Sequence, residues 1–152
     1  MNTAKILVSC INDSCTTDDK DRNTPLIYAA IFGDVTVVQV LLEGGANLEE
    51  TDTNTSTALH YAAYYGYLDV SRLLLDWGAK VDPLDTWKET PLHWAAWAGH
   101  LSVVKLLVER GADVRLKNDN GQTASDVARS WGNRAVAEWL DSVSSEQGLL
   151  TV

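Results

Sequence analysis

The stretch TPLHWAAWAGHLSVVKLLVERGADV, residues 90–114, contains one complete structural unit. Its first two residues are typical of a helix start, because the threonine hydroxyl accepts an amide of the first turn and proline lacks the N–H that would be unpaired there. Gly99 then ends a short alanine-rich helix, since glycine readily adopts the left-handed conformation of helix ends. A second helix with one apolar face runs on to Gly111. The stretch therefore predicts a helix–turn–helix unit.

The same unit recurs along the chain at a fixed spacing of 33 residues. Three kinds of position stay in register: the threonine, the glycine that ends the first helix, and a Gly-Ala pair that ends the second. These positions are Thr24, Thr57, Thr90 and Thr123; Gly33, Gly66, Gly99 and Gly132; and the pairs at 45–46, 78–79 and 111–112. Independent markers at one spacing indicate an internal repeat of four units.

The pattern TPLH, AA, G, LL and GA in this order and spacing resembles the ankyrin repeat family, over residues 19–141. The resemblance implies an all-α solenoid of stacked helix–turn–helix units with projecting β-turns. Each unit would bury its apolar face only against its neighbours. The first helices and the turn tips would line a concave groove. The four repeats would start near Asp19, Asp52, Asp85 and Asn118.

Both ends of the repeat array depart from the pattern, as capping units do. Residues 1–18 carry apolar residues at helical spacing and are predicted to form a capping half-repeat that consists of a second helix only. The last unit replaces Pro-Leu-His by Ala-Ser-Asp at 124–126, which fits a C-terminal cap with a polar outer face. Residues 142–152 show no periodicity and are predicted to form a flexible tail.

The turns differ from the family pattern, which usually has glycine two residues before the threonine. Only Gly121 fits, and the other three residues are Arg22, Thr55 and Lys88. A non-glycine residue at positive φ costs about 1 kcal/mol, and more if it is β-branched. We therefore predict that the turn at Thr55 is either mildly strained or different in geometry.

Charge and composition exclude several classes of function. The net charge is −9, from 21 acidic against 12 basic residues, which argues against nucleic acid because its recognition relies on Lys and Arg. No apolar stretch is long enough to span a bilayer, and no basic amphipathic helix is present to bind a membrane surface. Two cysteines do not make a disulfide framework. We expect a monomeric intracellular protein, cytoplasmic, nuclear or both.

The sequence contains no motif that indicates catalysis, a metal site or a cofactor. His60 and His93 occupy one repeat position, three residues after the threonine. We predict that each bonds the threonine hydroxyl and a neighbouring backbone group, because a side chain repeated at one position belongs to the scaffold. We therefore predict no catalytic, metal-binding or cofactor-binding residues, and we predict that the protein is not an enzyme.

The candidate binding residues come from the variable positions. In the implied fold, the two residues before the first glycine of each unit face the groove, and every unit has an aromatic residue there. Trp87 adds a ring at a turn tip, whereas Trp94 points toward the neighbouring helix and is predicted to pack. The predicted protein-binding residues are Phe32, Tyr64, Tyr65, Trp87, Glu89, Trp97 and Trp131.

These residues predict an adaptor or scaffold that recognises a protein or peptide with an apolar anchor and basic flanks. One alternative is a stoichiometric inhibitor or regulator of a partner enzyme. Another is a reader of methyl-lysine or of a peptide, with an aromatic cage built from Trp87, Glu89, Trp94, Trp97 and Tyr65. The aromatic residues could also do no more than seal contacts between repeats.

Overall fold

The computed structural model describes residues 24–150, with side chains described as far as residue 145. Within that range the chain folds into eight α-helices and contains no strand. The helices are α1 Pro25–Phe32, α2 Val35–Glu43, α3 Ala58–Tyr65, α4 Leu68–Asp76, α5 Pro91–Ala98, α6 Leu101–Glu109, α7 Ala124–Ser130 and α8 Arg134–Leu150. The predicted capping half-repeat at 1–18, the start of the first repeat at Asp19 and the turn residue Arg22 lie outside the described residues.

The helices form two layers, as the predicted all-α solenoid requires. The odd-numbered helices, here called inner helices, pack side by side in chain order, and the even-numbered outer helices do the same. The inner helices lie closer together because the residues at their contacts are small, including the buried pairs Ala62/Ala63 and Ala95/Ala96. Because the inner helices lie closer together than the outer helices, the stack is expected to curve toward the inner side.

The ends of the inner helices follow the predicted chemistry. Each repeat threonine is the N-cap and its hydroxyl accepts the backbone amide three residues on, as in Thr90 with His93. Gly33, Gly66 and Gly99 end their helices with φ of 74°, 75° and 82°. These left-handed conformations end each inner helix and turn the chain toward the outer helix that follows.

Buried residues at 52, 85 and 118 organise the turns between repeats. A side-chain oxygen of Asp52, for example, accepts the amides of Asn54 and Ser56 at 2.9 and 3.0 Å. Adjacent turns are joined by backbone bonds, from Thr86 N to Asn54 O and from Asp119 N to Trp87 O, both at 2.9 Å. The turn tips therefore form a continuous row beside the inner helices.

The turns at Thr55 and Lys88 have the same backbone geometry as the turn at Gly121, so these two non-glycine residues are held at positive φ. Thr55 and Lys88 have φ of 58° and 59°, close to the 72° of Gly121 at the equivalent position. The Thr55 hydroxyl donates to Asn54 O at 2.6 Å and lies 3.3 Å from the Thr86 hydroxyl. Of the two possibilities left open by the sequence, strain is the one observed.

Thr55→Gly is expected to raise the free energy of unfolding by up to about 1 kcal/mol. Release of the β-branched residue from positive φ outweighs the entropy that glycine gains in the unfolded chain and the loss of an exposed hydroxyl contact. Urea unfolding measures the change in the free energy of unfolding for Thr55→Gly and for Lys88→Gly. The second variant is the comparison, because lysine is not β-branched. A lowered midpoint for Thr55→Gly would show that the hydroxyl bonds outweigh the strain.

Helix α8 extends to Leu150, into the segment 142–152 that is predicted to form a flexible tail. Just past residue 141, Val143 packs against the core and the Ser142 hydroxyl donates to Trp139 O at 2.7 Å. The position equivalent to Gly45, Gly78 and Gly111 is Ser144, so the last unit has no glycine to end its second helix there.

A polar network covers the outer side of the last repeat. Asp141 accepts hydrogen bonds from the Ser125 hydroxyl at 2.5 Å and from Arg129 at 2.6 Å. Arg129 also pairs with Asp126 at 3.3 Å. This arrangement gives the last repeat the polar face expected of a cap.

Candidate protein-binding groove

The inner helices carry almost no charge. Helices α1, α3 and α5 contain no Asp, Glu, Lys or Arg. Helix α7 adds Asp126 and Arg129, which pair with each other. The position equivalent to Trp97 in α7 is Ser130, whose hydroxyl accepts a bond from Gln122 Nε2 at 3.4 Å. This contact places the position on the side of α7 that faces the turns.

Four of the predicted residues form a continuous line of rings across α3, α5 and the end of α7. Tyr65 contacts Tyr64 with a centroid distance of 5.0 Å, Tyr64 contacts Trp97 at 5.3 Å, and Trp97 contacts Trp131 at 5.5 Å. We call these four residues the aromatic row. Tyr65, Trp97 and Trp131 are 43%, 37% and 63% exposed, so a large apolar surface faces solvent. Apolar surface of this kind is typical of an interaction site.

The other three predicted residues lie apart from the aromatic row. Phe32 is exposed and stacks on Tyr28 of its own helix, with centroids 6.4 Å apart. Trp87 is half exposed at a turn tip and makes no ring contact with any residue that the structure describes. Glu89 accepts a bond from Asn118 Nδ2 at 3.1 Å, and partial burial raises the pKa of its carboxyl. The structure thus brings together four of the seven predicted residues.

Trp94 packs between repeats, as predicted. Its ring centroid lies 5.0 Å from that of His60 and 5.3 Å from that of Tyr61, both on α3. Its indole N–H donates to Asp85 Oδ2 at 3.0 Å. Tyr61 repeats this arrangement one unit earlier, where its hydroxyl donates to Asp52 Oδ2. At the repeat position of Tyr61 and Trp94, the polar group of the ring therefore donates a hydrogen bond to the buried aspartate in the turn of the same unit.

The polar ends of the aromatic row are free, in contrast to that of Trp94. Within residues 24–145, the hydroxyls of Tyr64 and Tyr65 and the indole N–H groups of Trp97 and Trp131 have no hydrogen-bond partner. An indole N–H can only donate, and a tyrosine hydroxyl donates readily. The row therefore presents apolar faces together with four available donors.

Tyr67 extends the row and was not predicted. Its ring stacks on that of Tyr65 with a centroid distance of 5.7 Å and an interplanar angle of 24°. It also covers Gly33 of the preceding repeat, where an added Cβ would lie 2.6 Å from its Cζ. The signal in the sequence was the residue after each glycine, which varies from unit to unit in the way that binding positions do.

No ring contact joins two of the five residues considered for a methyl-lysine cage within residues 24–145. Tyr65, Trp94 and Trp97 each contact Tyr64 instead, with centroid distances of 5.0, 6.1 and 5.3 Å. The Glu89 carboxylate, which would face the cation, instead accepts a bond from Asn118. Trp87 has no ring contact in the described range. The geometry supports an open row better than a closed cage.

The two repeat histidines are structural, as predicted. His60 and His93 are almost fully buried. Nδ1 of each accepts the backbone amide of its threonine, at 3.0 and 3.2 Å, so the ring proton is on Nε2. Nε2 then donates to Glu89 O or Gln122 O of the next turn, at 2.9 and 3.0 Å. Burial lowers the pKa of both imidazoles, and both nitrogens are occupied in holding adjacent repeats together.

Acidification from about pH 7.5 to 5.5 is expected to lower the free energy of unfolding through these histidines. Their folded pKa values lie below the ordinary 6.5, so the unfolded chain takes up protons first and stability falls as the pH drops through 6.5. Burial raises the pKa of Glu89, which has the opposite effect and offsets part of the loss at the acidic end. Urea unfolding against pH measures the slope.

The control for this prediction is the double variant His60→Gln/His93→Gln. Glutamine at the third helical position can still bond the cap residue, but it does not titrate. The variant is expected to be less stable than the natural protein at pH 7.5, with a clearly flatter pH dependence. An unchanged slope would assign the pH dependence to other groups.

Among the described residues, no group of His, Cys, Asp and Glu could hold a metal ion, and no helix is long and apolar enough to cross a membrane.

Comparison with known proteins agrees with the architecture. The family model for ankyrin repeats in three copies matches residues 1–85 and 78–146. The chain therefore belongs to the ankyrin repeat family, whose members are generally modules for protein–protein interaction. No curated protein matches the chain.

Proposed function

We propose that this protein is a non-enzymatic adaptor or scaffold that binds a partner protein or peptide in its concave groove. The observation that carries the proposal is the aromatic row, which is contiguous and solvent-exposed and whose polar ends are unpaired. Tyrosine and tryptophan dominate the energetics of protein interfaces, because they bury a large area and lose little conformational entropy. The contrast with Trp94 supports a binding role, since the scaffold already binds the polar end of that ring.

The partner is proposed to carry an apolar anchor and basic flanks. Three of the four inner helices carry no charged residue, and the anchor meets the aromatic row beside them. The net charge of −9 and exposed acids such as Asp119 at the turn tips favour basic residues on either side. The proposed setting is an intracellular monomer. A role as inhibitor of a partner enzyme would use the same groove and would show as loss of that enzyme's activity.

Comparative capture from a cell lysate tests the proposal. The natural chain, a Trp97→Ala/Trp131→Ala variant and a Trp77→Ala control are immobilised, and the retained proteins are compared. Trp77 is 44% exposed at the end of outer helix α4, so the control removes a similar ring from the other layer. We expect the double variant to lose specific partners that the control retains. Equal capture by all three proteins would place the binding surface elsewhere.

A further inference from the structure

We propose that Asn120, at the tip of the last turn, is a site of spontaneous deamidation through attack by the backbone nitrogen of Gly121. This modification is a property of the chain itself and does not depend on the proposed function. Three features of the last turn support it: the Asn-Gly pair, the free side chain of Asn120, and the absence of a hydrogen bond on one side of the turn.

The reaction needs no partner other than water. The nitrogen of Gly121 forms a bond to Cγ of Asn120, the bond from Cγ to Nδ2 breaks, and the backbone amide proton leaves with Nδ2 as ammonia. Water then opens the resulting cyclic imide at either of its carbonyls, which gives aspartate or isoaspartate. No group is oxidised or reduced, and either product adds one negative charge to the net charge of −9.

The residue after the asparagine decides how easily its nitrogen reaches Cγ. Asn54 and Asn120 occupy the same position of the turn, and the residues that follow them, Thr55 and Gly121, have φ of 58° and 72°. The β-branched side chain of Thr55 crowds the nitrogen, whereas Gly121 has no Cβ. Asn54 is therefore a control within the same chain, in the same kind of turn.

The side chain of Asn120 is free to react. It is exposed and has no hydrogen-bond partner among the described residues, so no bond holds its Cγ away from the nitrogen of Gly121. The N–H of Gly121 donates to Asn118 O at 2.9 Å, and this bond has to open before the attack. The rate of deamidation is therefore set by how readily the turn opens.

The last turn is held on one side only. Its Asp119 N donates to Trp87 O, but the carbonyl of Asn120 accepts no bond within residues 24–145. The equivalent carbonyl of Asn54 accepts both the N–H and the hydroxyl of Thr86, at 2.9 and 2.8 Å. We therefore expect the last turn to open more readily than the turn at Asn54.

The remaining described asparagines are each held by a side-chain bond. Asn118 is buried and its Oδ1 accepts the amides of residues 120 and 122, both at 3.0 Å. Asn133 Nδ2 donates to Ala96 O and Trp97 O at 2.9 and 2.8 Å. Asn47 Oδ1 accepts the amide of Glu49 at 3.0 Å. None of these three asparagines is followed by glycine.

Incubation of the intact, folded chain in mildly alkaline buffer tests the proposal. Samples are taken over time and digested, and mass spectrometry measures aspartate and isoaspartate at each asparagine. We expect Asn120 to be converted at least about tenfold faster than Asn54, with both products present. Absence of conversion at Asn120, or equal rates at Asn120 and Asn54, would overturn the proposal.

Gly121→Ala tests whether the nitrogen of residue 121 is the attacking group. Nothing lies within 4 Å of an added Cβ at this glycine, and Thr55 and Lys88 already hold a similar φ, so the variant is expected to fold. Circular dichroism checks that it does. Deamidation of Asn120 is expected to slow at least about tenfold, because the new Cβ crowds the nitrogen. An unchanged rate would overturn the assigned attack.

Thr55→Gly separates the effect of the fold from that of the Asn-Gly pair, because it creates a second such pair at Asn54. In the folded variant we expect Asn54 to react more slowly than Asn120, since Thr86 still bonds the carbonyl of Asn54. In urea the two rates are expected to become equal. Equal rates in the folded variant, or a difference that persists in urea, would overturn the role assigned to the open side of the last turn.

Discussion

Gly66→Ala is expected to lower the free energy of unfolding by about 3 kcal/mol, whereas Gly132→Ala lowers it by only about 1 kcal/mol. The two glycines have nearly the same backbone conformation, with φ of 75° and 76°. The cost of placing alanine in the left-handed region is therefore common to both. Their surroundings differ: an added Cβ at Gly66 would lie 2.5 Å from Nδ1 of His100, and at Gly132 nothing lies within 4 Å.

The additional cost at Gly66 arises because the ring of His100, from the next repeat, lies directly against this glycine. His100 occupies the N-cap of α6, and its ring covers the end of α3 in the preceding repeat. A methyl group at Gly66 pushes this ring away and separates the two repeats locally. Because each repeat is stabilised only by its neighbours, a defect at one interface affects the whole stack.

Urea unfolding of the two glycine variants measures the difference, and a double variant identifies its cause. In Gly66→Ala/His100→Ala the ring that would collide is absent, so the combined loss is expected to be smaller than the sum of the single losses. Equal losses for Gly66→Ala and Gly132→Ala would show that the ring of His100 moves aside without cost. Strictly additive losses in the double variant would lead to the same conclusion.

Much of the fold could be predicted from the sequence because its signals are local. The threonine cap, the proline at the first helical position and the glycine terminator each act within a few residues of their own position in the chain. Repetition at one spacing then links these local signals into a stack. The strained residue Thr55 was identified in the same way, as a departure from an otherwise regular position.

Contacts between repeats were harder to predict because they join residues about one unit apart. The sequence placed Tyr64, Tyr65, Trp97 and Trp131 on the groove side, but it could not show which rings touch. The position after each inner-helix glycine was overlooked for the same reason, since Tyr67 acquires its role only by contacting Tyr65 and Gly33. The continuation of helix α8 past residue 141 was not predicted, because no repeat position encodes the contact of Val143 with the core.

One feature of the turns shows how such contacts determine residue type. Asp52 and Asp85 are followed nine residues later by Tyr61 and Trp94, whose polar groups donate to them. In the last repeat the donor position is Val127, and the turn residue is Asn118, an amide whose Nδ2 donates to Glu89. An aspartate at position 118 would have placed a buried carboxylate oxygen beside Glu89 without a donor. The buried Asp52 and Asp85 therefore belong to the scaffold, unlike exposed acids at the turn tips such as Asp119.

Trp94→Ala and Trp97→Ala are expected to have opposite effects on stability and on binding. Trp94→Ala removes a ring packed on His60 and Tyr61 and leaves Oδ2 of the buried Asp85 without its donor, so it lowers the free energy of unfolding by about 3 kcal/mol or more. Trp97→Ala removes a ring that is 37% exposed and bonds no polar group of the protein, so its loss of stability is smaller, about 1 kcal/mol. Binding of the captured partner should instead weaken by about 2–4 kcal/mol.

Melting curves and partner affinity, measured side by side at a temperature where both variants are folded, test this contrast. Trp94→Phe serves as an intermediate variant, because it keeps the ring contact with His60 and loses only the bond to Asp85. Its stability should lie between that of Trp94→Ala and that of the natural protein, with partner affinity unchanged. A larger loss of stability for Trp97→Ala than for Trp94→Ala would reverse the roles assigned to the two rings. If Trp97→Ala left partner affinity intact, the aromatic row would act only as packing between repeats, and the turn tips or the outer helices would have to provide the binding surface.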